Sequence, residues 1–274
     1  MARGRPPPSA EPLAGAGRLA GERVWTGQDE KAFVVGGGVQ HAGREREAGF
    51  GVFSDVGICA EHLLTRRGTG RVMVLDTDAH AGDGVQEIFE ADPRVFHVSI
   101  HQDPATIYPG RGFAGEIGSG AGEGFSVNVP LPPGAGGRCY EKALADLVEP
   151  LARAFRPAMI LMVDGGDPHF SDRITRMGLR LEDLRKVAET VAGLADEVCD
   201  GRVVDFIGSG YSRDPRVVSR AWLASVCGLT GAACEVTEPV PMPKRVDPEA
   251  GLGPTARTVD RLRRSLSRCW ECFG

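Results

Sequence analysis

"RVMVLDTDAHAGDG", residues 71–84, decides how this chain is to be understood. Its first half is a continuous apolar run rich in valine, the pattern of a strand buried on both faces of a parallel sheet. Its second half sets Asp76, Asp78 and His80 at every second position, then Asp83 between two glycines. Side chains alternate across a strand with period two, so if extended geometry continues past Leu75 these three groups point to one side. Two carboxylates and an imidazole on one rim repel or demand burial unless a cation lies among them. Such oxygen and nitrogen donors suit zinc, and three protein ligands with an open position mark a catalytic zinc site. A third ligand must come from another strand, where Asp167 or His169 in "DGGDPHFSD" (164–172) is available. The plain alternative is a helix N-terminus, with Asp78 or Asp83 capping a helix through "VQEIFEA" (85–91).

The strand pattern recurs in "AFVVGG" (32–37), "RVFHVSI" (94–100), "FSVNVPL" (125–131), "AMILMVD" (158–164) and "RVVDFIG" (202–208). Helical patterns lie between most of these runs. They cover 55–68, stopped by Gly68; 140–155, with Pro150 predicted to kink it; 181–199; and 214–229. Strands alternating with helices predict an α/β fold with a mainly parallel sheet covered on both faces. Ligands of such sheets sit at the carboxyl ends of the strands. The loops after 76, 164 and 208 are therefore expected to share a rim, and all three are rich in reactive side chains.

Bulk properties exclude several partners. The chain has 274 residues, 42% hydrophobic and 25% charged, enough to fill a core, and a net charge of -5 that argues against direct nucleic-acid binding. The basic stretches 173–180 and 261–268 read as solvated faces. No apolar run is long enough to span a bilayer and no export signal opens the chain, so no membrane partner is expected. Seven widely spread cysteines in a chain too long to need disulfide staples point to a reducing, cytoplasmic setting. Cys269 and Cys272 have a Cys-x-x-Cys spacing but no further ligands nearby, and no role is assigned to them. The expected organisation is a disordered proline-rich start (1–12), an α/β domain (13–236), and a loop with a C-terminal helix (237–274). That helix sets Val259, Leu262, Leu266 and Trp270 near one face, a stripe for packing on the domain.

In "VVGGGVQHAGREREAGFGVFSDV" (34–56), three glycines lead to Gln40 and His41 rather than into a helix, unlike a dinucleotide fingerprint. Together with "LDTDAHAGDGVQEIF", "VSIHQD", "YPGRG", "VNVPLPPG", "DGGDPHFSDRI" and "GSGY", in that order from about Phe33 to about Gly228, the segment resembles the zinc-dependent histone deacetylase family. That family includes bacterial and archaeal acetoin-utilisation and acetylpolyamine-hydrolase relatives. The resemblance implies an arginase/deacetylase-like three-layer fold and amide hydrolysis releasing acetate, with an acetylated lysine peptide or a small acetylated amine as substrate. It assigns Asp78, His80 and Asp167 to one Zn2+ per chain, His41 to the base and acid, and Asp83 to orienting His41. Tyr211 becomes the oxyanion donor. Gln40 and Asp76 are placed beside the base and ligands, and Phe50, Tyr108 and Gly165 in the substrate tunnel. Asp76, Asp78, His80, Ser99 and Ile100 fall where relatives hold a monovalent cation such as K+.

Independent chemistry supports these roles. Two carboxylates and a neutral imidazole cancel the charge of Zn2+ and temper its acidity, so hydrolysis by metal-activated water needs a base and a donor where negative charge develops. The alternatives are a non-catalytic metal-binding relative, either a truncated pseudoenzyme or an acyl-ligand binder, and, less favoured, an arginase-like dinuclear manganese hydrolase. The chain also departs from the family pattern. Gln40 stands where a first histidine usually faces Asp76, and a glutamine can donate to that carboxylate but cannot carry a proton charge. Ala81, Gly51, Ser54 and Gly166 replace a histidine, a cysteine, an asparagine and a bulkier residue. Relatives usually carry a substantial segment before this point. The sequence therefore predicts an N-terminally shortened chain lacking the first edge strands, with an uncovered sheet edge that permits oligomers.

Overall fold

The computed structural model describes residues 10–244 and 246–274. The stretch expected to be disordered over 1–12 falls outside it up to residue 9, and residues 10–12 already belong to a helix, α1 (Ala10–Trp25). All six expected strands form, each within about two residues of its apolar run: β1 (Lys31–Val35), β2 (Val72–Asp76), β3 (Val95–Gln102), β4 (Ser126–Leu131), β5 (Ile160–Gly165) and β6 (Val203–Ser209). They make one sheet in the order β1-β6-β5-β2-β3-β4, and every pairing is parallel. β1 and β4 are its edges.

Period-two alternation sends Val72 and Val74 to one face of β2 and Met73 and Leu75 to the other. The first pair joins Val56, Cys59 and Leu63 of a core under α1 and α2 (Asp55–His62). The second joins a larger core on the opposite face, with Leu147, Leu151, Leu184 and Val191. These are the three layers expected. Ser54 caps α2, its Oγ accepting from the Gly57 N–H at 3.1 Å, and a π turn (Leu63–Arg67) then carries the chain to Gly68, at φ +64. α3 (Asp83–Phe89) follows β2.

The segment expected as one kinked helix is α4 (Gly137–Ala143), a π turn (Leu144–Val148) and α5 (Glu149–Phe155). The irregularity falls just before Pro150, which has no N–H for the carbonyl one turn back and whose ring crowds that carbonyl. α6 (Leu181–Cys199) and α7 (Pro215–Thr230) pack on each other, and α8 (Leu252–Leu266) buries Val259, Leu262 and Leu266. Beyond it Trp270 sits against Phe96, Phe125 and Phe155, with centroids 5.3, 5.0 and 6.3 Å away, and its indole N–H donates to the Gly124 carbonyl at 2.8 Å.

The cysteine expectation needs one correction. Gly231, at φ +68, turns the chain back after α7 and brings Cys234 to Cys227, and the two are joined as a disulfide. Cys269 and Cys272 are free and exposed. Among the described residues no helix is long and apolar enough to cross a membrane.

The strand order fixes the site. From β2 the chain steps outward to β3 and β4, whereas from β5 it steps the opposite way to β6. Between β2 and β5 the connections diverge, and the crevice outside their carboxyl ends is where open α/β sheets bind ligands. Asp78 and His80 follow β2, and Asp167 follows β5.

Candidate active site

Asp78, His80 and Asp167 each offer one ligand atom, and these atoms lie within 4.8 Å of one another. All three residues are buried. His80 Nδ1 is 2.8 Å from Asp167 Oδ2 and 3.1 Å from Asp78 Oδ1. Those spacings approach the ~3.3 Å between donors on a tetrahedral zinc with bonds near ~2.0 Å. Each carboxylate is held from behind. Asp78 Oδ1 accepts from the His80 backbone N–H at 2.7 Å, and Asp167 Oδ1 accepts from the Ala79 N–H at 3.1 Å and from Ser209 Oγ at 2.9 Å. His169, the other candidate ligand, turns away to Glu238 Oε2 at 2.9 Å.

The electrostatics of this set call for a cation. Burial and the neighbouring Asp78 charge push Asp167 up to about 7. For Asp78 burial acts upward, but the hydrogen bond and charge of His80 win and hold it at about 2. Burial acts downward on His80, yet hydrogen bonds to Asp167 and Asp78 and their charges raise it to about 11. The two carboxylates therefore gather positive charge between them, and a divalent ion on the same three atoms satisfies that demand better than one proton. The donor set fits zinc.

His41 stands across the cavity, its ring centroid 6.1 Å from that of His80. Its Nδ1 lies 2.6 Å from Asp83 Oδ1. Asp83 is the first residue of α3, yet Gly82 occupies the cap position and no side chain caps the helix, so the capping alternative does not describe it. Burial acts upward on Asp83, but hydrogen bonds and charge from His41 and Arg46 bring it below the usual carboxylate range. An ionised carboxylate only accepts, so His41 Nδ1 carries the proton and Nε2 is left free. Arg46 donates to the other oxygen, Asp83 Oδ2, at 2.8 Å and to Glu87 at 2.9 Å. No local signal marks Arg46, whose partner lies 37 positions away.

A cavity of about 710 Å³ contains Asp78, His80, His41, Gln40 and Tyr211, with Phe50, Tyr108 and Ile174 at its rim. Phe50 is 93% exposed at φ +64, and its ring faces Tyr211 with centroids 6.2 Å apart. Tyr108 meets His41 edge-on at 5.0 Å. The Tyr211 backbone N–H donates to Asp172 Oδ2 at 2.7 Å. Burial and the charges of Asp78 and Asp167 push the Tyr211 hydroxyl above its ordinary range, so it remains a donor.

Three expectations change. Gln40 lines the cavity, but among the described residues no hydrogen bond joins it to Asp76, whose oxygens accept from the Asp78 N–H at 3.0 Å and Ser99 Oγ at 3.3 Å. Asp76 itself is fully buried behind the ligands and outside the cavity lining. Gly165 is also outside that lining. It lies at a register shift in β5, where a Cβ would stand only 1.9 Å from Ser209 Oγ, so packing rather than the tunnel requires the glycine. Asp76 and Ser99 are sheet neighbours, while the Ile100 carbonyl already accepts from the Tyr140 hydroxyl at 3.5 Å. Gly51 has a local cause as well, since a Cβ there would fall 1.7 Å from Val39 Cγ1.

A family model described as histone deacetylase domain matches residues 8–229. A protein of Archaeoglobus fulgidus named "Probable deacetylase" is 34% identical over 266 residues, which are 95% of this chain and 73% of that relative. The acetoin utilization protein AcuC of Staphylococcus aureus (strain COL) is 38% identical over 214 residues, 78% of this chain. The match covers 54% of AcuC, so this chain spans about half the length of that relative. Among solved structures, the HDA15 HD domain superposes with a TM-score of 0.80 at 26% identity, covering 95% of this chain and 68% of that one. The histone deacetylase Clr3 gives a TM-score of 0.76 at 26% identity, covering 96% and 41%.

Proposed function

The chain belongs to the histone deacetylase family, and on that premise we propose that it is a zinc-dependent amidohydrolase removing an acetyl group from a lysine side chain or a small acetylated amine. The observation that carries this reading is the meeting, around one cavity lined by Asp78, His80, His41 and Tyr211, of a buried three-donor cluster completed by Asp167, a carboxylate-held histidine and a protonated tyrosine. When bound by Asp78, His80 and Asp167, zinc supplies Lewis acidity toward the acyl carbonyl and the attacking water.

The remaining chemistry belongs to the chain. His41 Nε2 takes the proton of the water as it attacks the acyl carbon, and Asp83 stabilises the imidazolium that forms. His41 then returns the proton to the leaving nitrogen, so that acetate and the free amine depart. The Tyr211 hydroxyl donates to the carbonyl oxygen as negative charge grows there. Phe50 and Tyr108 wall the approach and exclude water from the alkyl stem of the substrate. Asp76 and Ser99, side by side beneath the ligands, would hold a monovalent cation such as K+ together with backbone oxygens. A single group of three clustered donors is found among the described residues, which favours one ion over a dinuclear manganese centre.

The test is metal content followed by turnover. Purified protein is expected to hold close to one zinc per chain, to lose it on Asp167→Ala, and to release acetate from an acetyl-lysine peptide or an acetylated amine. Folded, zinc-loaded protein that hydrolyses none of a wide panel of acetylated substrates would replace this reading with the non-catalytic binder.

A further inference from the structure

Asp167 and Tyr211 both depend on one loop, residues 166–176, which follows β5. Asp167 offers its metal donor at the start of that loop, and further along Asp172 Oδ2 accepts from the Tyr211 N–H at 2.7 Å. Beside Asp172, Ser171 Oγ lies 3.0 Å from Ser212 Oγ. His169 stands between these two ends. Its N–H donates to the Gly166 carbonyl at 3.3 Å, and its own carbonyl accepts from the Asp172 N–H at 2.9 Å. Where His169 sits therefore sets where both ends sit.

The His169 side chain is fully buried, and both ring nitrogens are used. Nδ1 accepts from the Ser171 N–H at 3.2 Å, which leaves the ring proton on Nε2, and Nε2 donates to Glu238 Oε2 at 2.9 Å. A buried N–H without an acceptor is costly, so loss of Glu238 would drive the ring, and the backbone that carries it, toward another arrangement. Glu238 is itself fixed. Its other oxygen accepts from the Leu181 N–H at 2.8 Å. Just before it, Thr237 Oγ1 accepts from Arg220 of α7 at 3.0 Å, and Cys234 is joined to Cys227 of the same helix. The start of α6 has a separate tie, the Arg180 N–H donating to Asp183 Oδ2 at 2.9 Å.

We propose that Glu238 is a positioning residue for the reaction: by holding His169 it keeps Asp167 on the metal and the Tyr211 hydroxyl at the acyl oxygen, although it lies outside the cavity lining. The inference rests on the amidohydrolase reading for its chemistry. Partners that orient metal ligands are worth about 10–100-fold in metal affinity or activity. Glu238 acts one residue further back, so its removal should cost about tenfold, the lower end of that range. Other residues wall the substrate, so the loss belongs to kcat and leaves KM unchanged.

The experiment compares Glu238→Ala and Glu238→Gln with the parent chain, using Glu235→Ala, an exposed site on the same segment, as the control. Glu238 is partly exposed, so its replacement leaves the two cores intact. Hydrogen exchange followed by mass spectrometry is read first. Glu238→Ala should speed exchange in 166–176 and 209–213 by about tenfold, as expected on losing a hydrogen bond to a charged group, while β3 keeps its rate. The zinc Kd should rise and kcat should fall, each by about tenfold. Glu238→Gln, which keeps one acceptor oxygen, should recover part of each loss, and Glu235→Ala should match the parent. Unchanged exchange in 166–176, an unchanged zinc Kd and kcat, or equal losses in Glu235→Ala would overturn the inference and leave the amidohydrolase standing. Absence of all turnover in the parent overturns the amidohydrolase, and exchange and zinc affinity then judge Glu238 alone: both altered supports it, either unchanged sinks it.

Discussion

The base role proposed for His41 depends on Asp83 holding its Nδ1 proton, and Asp83 is kept ionised by His41 and Arg46, which share its two oxygens. Replacing His41 by Ala should lower kcat by about two to four orders of magnitude. Tyr211→Phe, which removes only the hydroxyl, should cost about two to three orders in kcat. Zinc content measured alongside is expected to stay unchanged in both, separating chemistry from ligation. In β6, Asp205 is fully buried with neither oxygen hydrogen-bonded. Burial and the charge of Asp164 raise it well above the ordinary carboxylate range. A raised folded pKa means that its favourable contribution is complete below about pH 4 and is lost as pH rises. Asp205→Asn should therefore raise stability at pH 7 by about 1–3 kcal/mol, an advantage that fades toward pH 4. Urea midpoints across that range test it, and a pH-independent difference would contradict it.

Single elements carry the site because of where they end. β2 ends at Asp76, and the bent segment after it carries Asp78 and His80 to the crevice; β5 ends at Gly165, and the loop after it carries Asp167. That second loop is tied down at several points. Its His169 binds Glu238, whose other oxygen accepts from the Leu181 N–H at 2.8 Å, and Asp172 holds the Tyr211 backbone. A segment expected to be a plain connector after 236 thus reaches back to the catalytic loop. No local signal marks Glu238, because its partners lie 69 and 57 positions away. The last helix is legible by contrast. Its apolar stripe forecasts burial from spacing alone, and only the partners, Phe96, Phe125 and Phe155, needed the fold. Trp270→Ala should cost about 3–5 kcal/mol, read as a lower denaturant midpoint with an unchanged slope.

For the whole molecule, a metal held by these donors would stabilise only the folded chain, since Asp78 and Asp167 meet only when β2 and β5 are paired. At free zinc 100 times its Kd, stabilisation of about 2.7 kcal/mol follows from mass action. At roughly 2–4 °C per kcal/mol for chains near this size, Tm should rise by about 5–10 °C. Asp167→Ala should abolish that rise, and an equal rise in the variant would place zinc elsewhere. The six strands, their parallel arrangement and the zinc-ligand candidates were all readable in the sequence, because apolar runs, period-two spacing and turn residues are local facts. The order β1-β6-β5-β2-β3-β4 and the tie of Arg46 to Asp83 were not. Each depends on which distant segments become neighbours once two cores close on the sheet, and that choice is made by packing the whole chain rather than by any stretch of it.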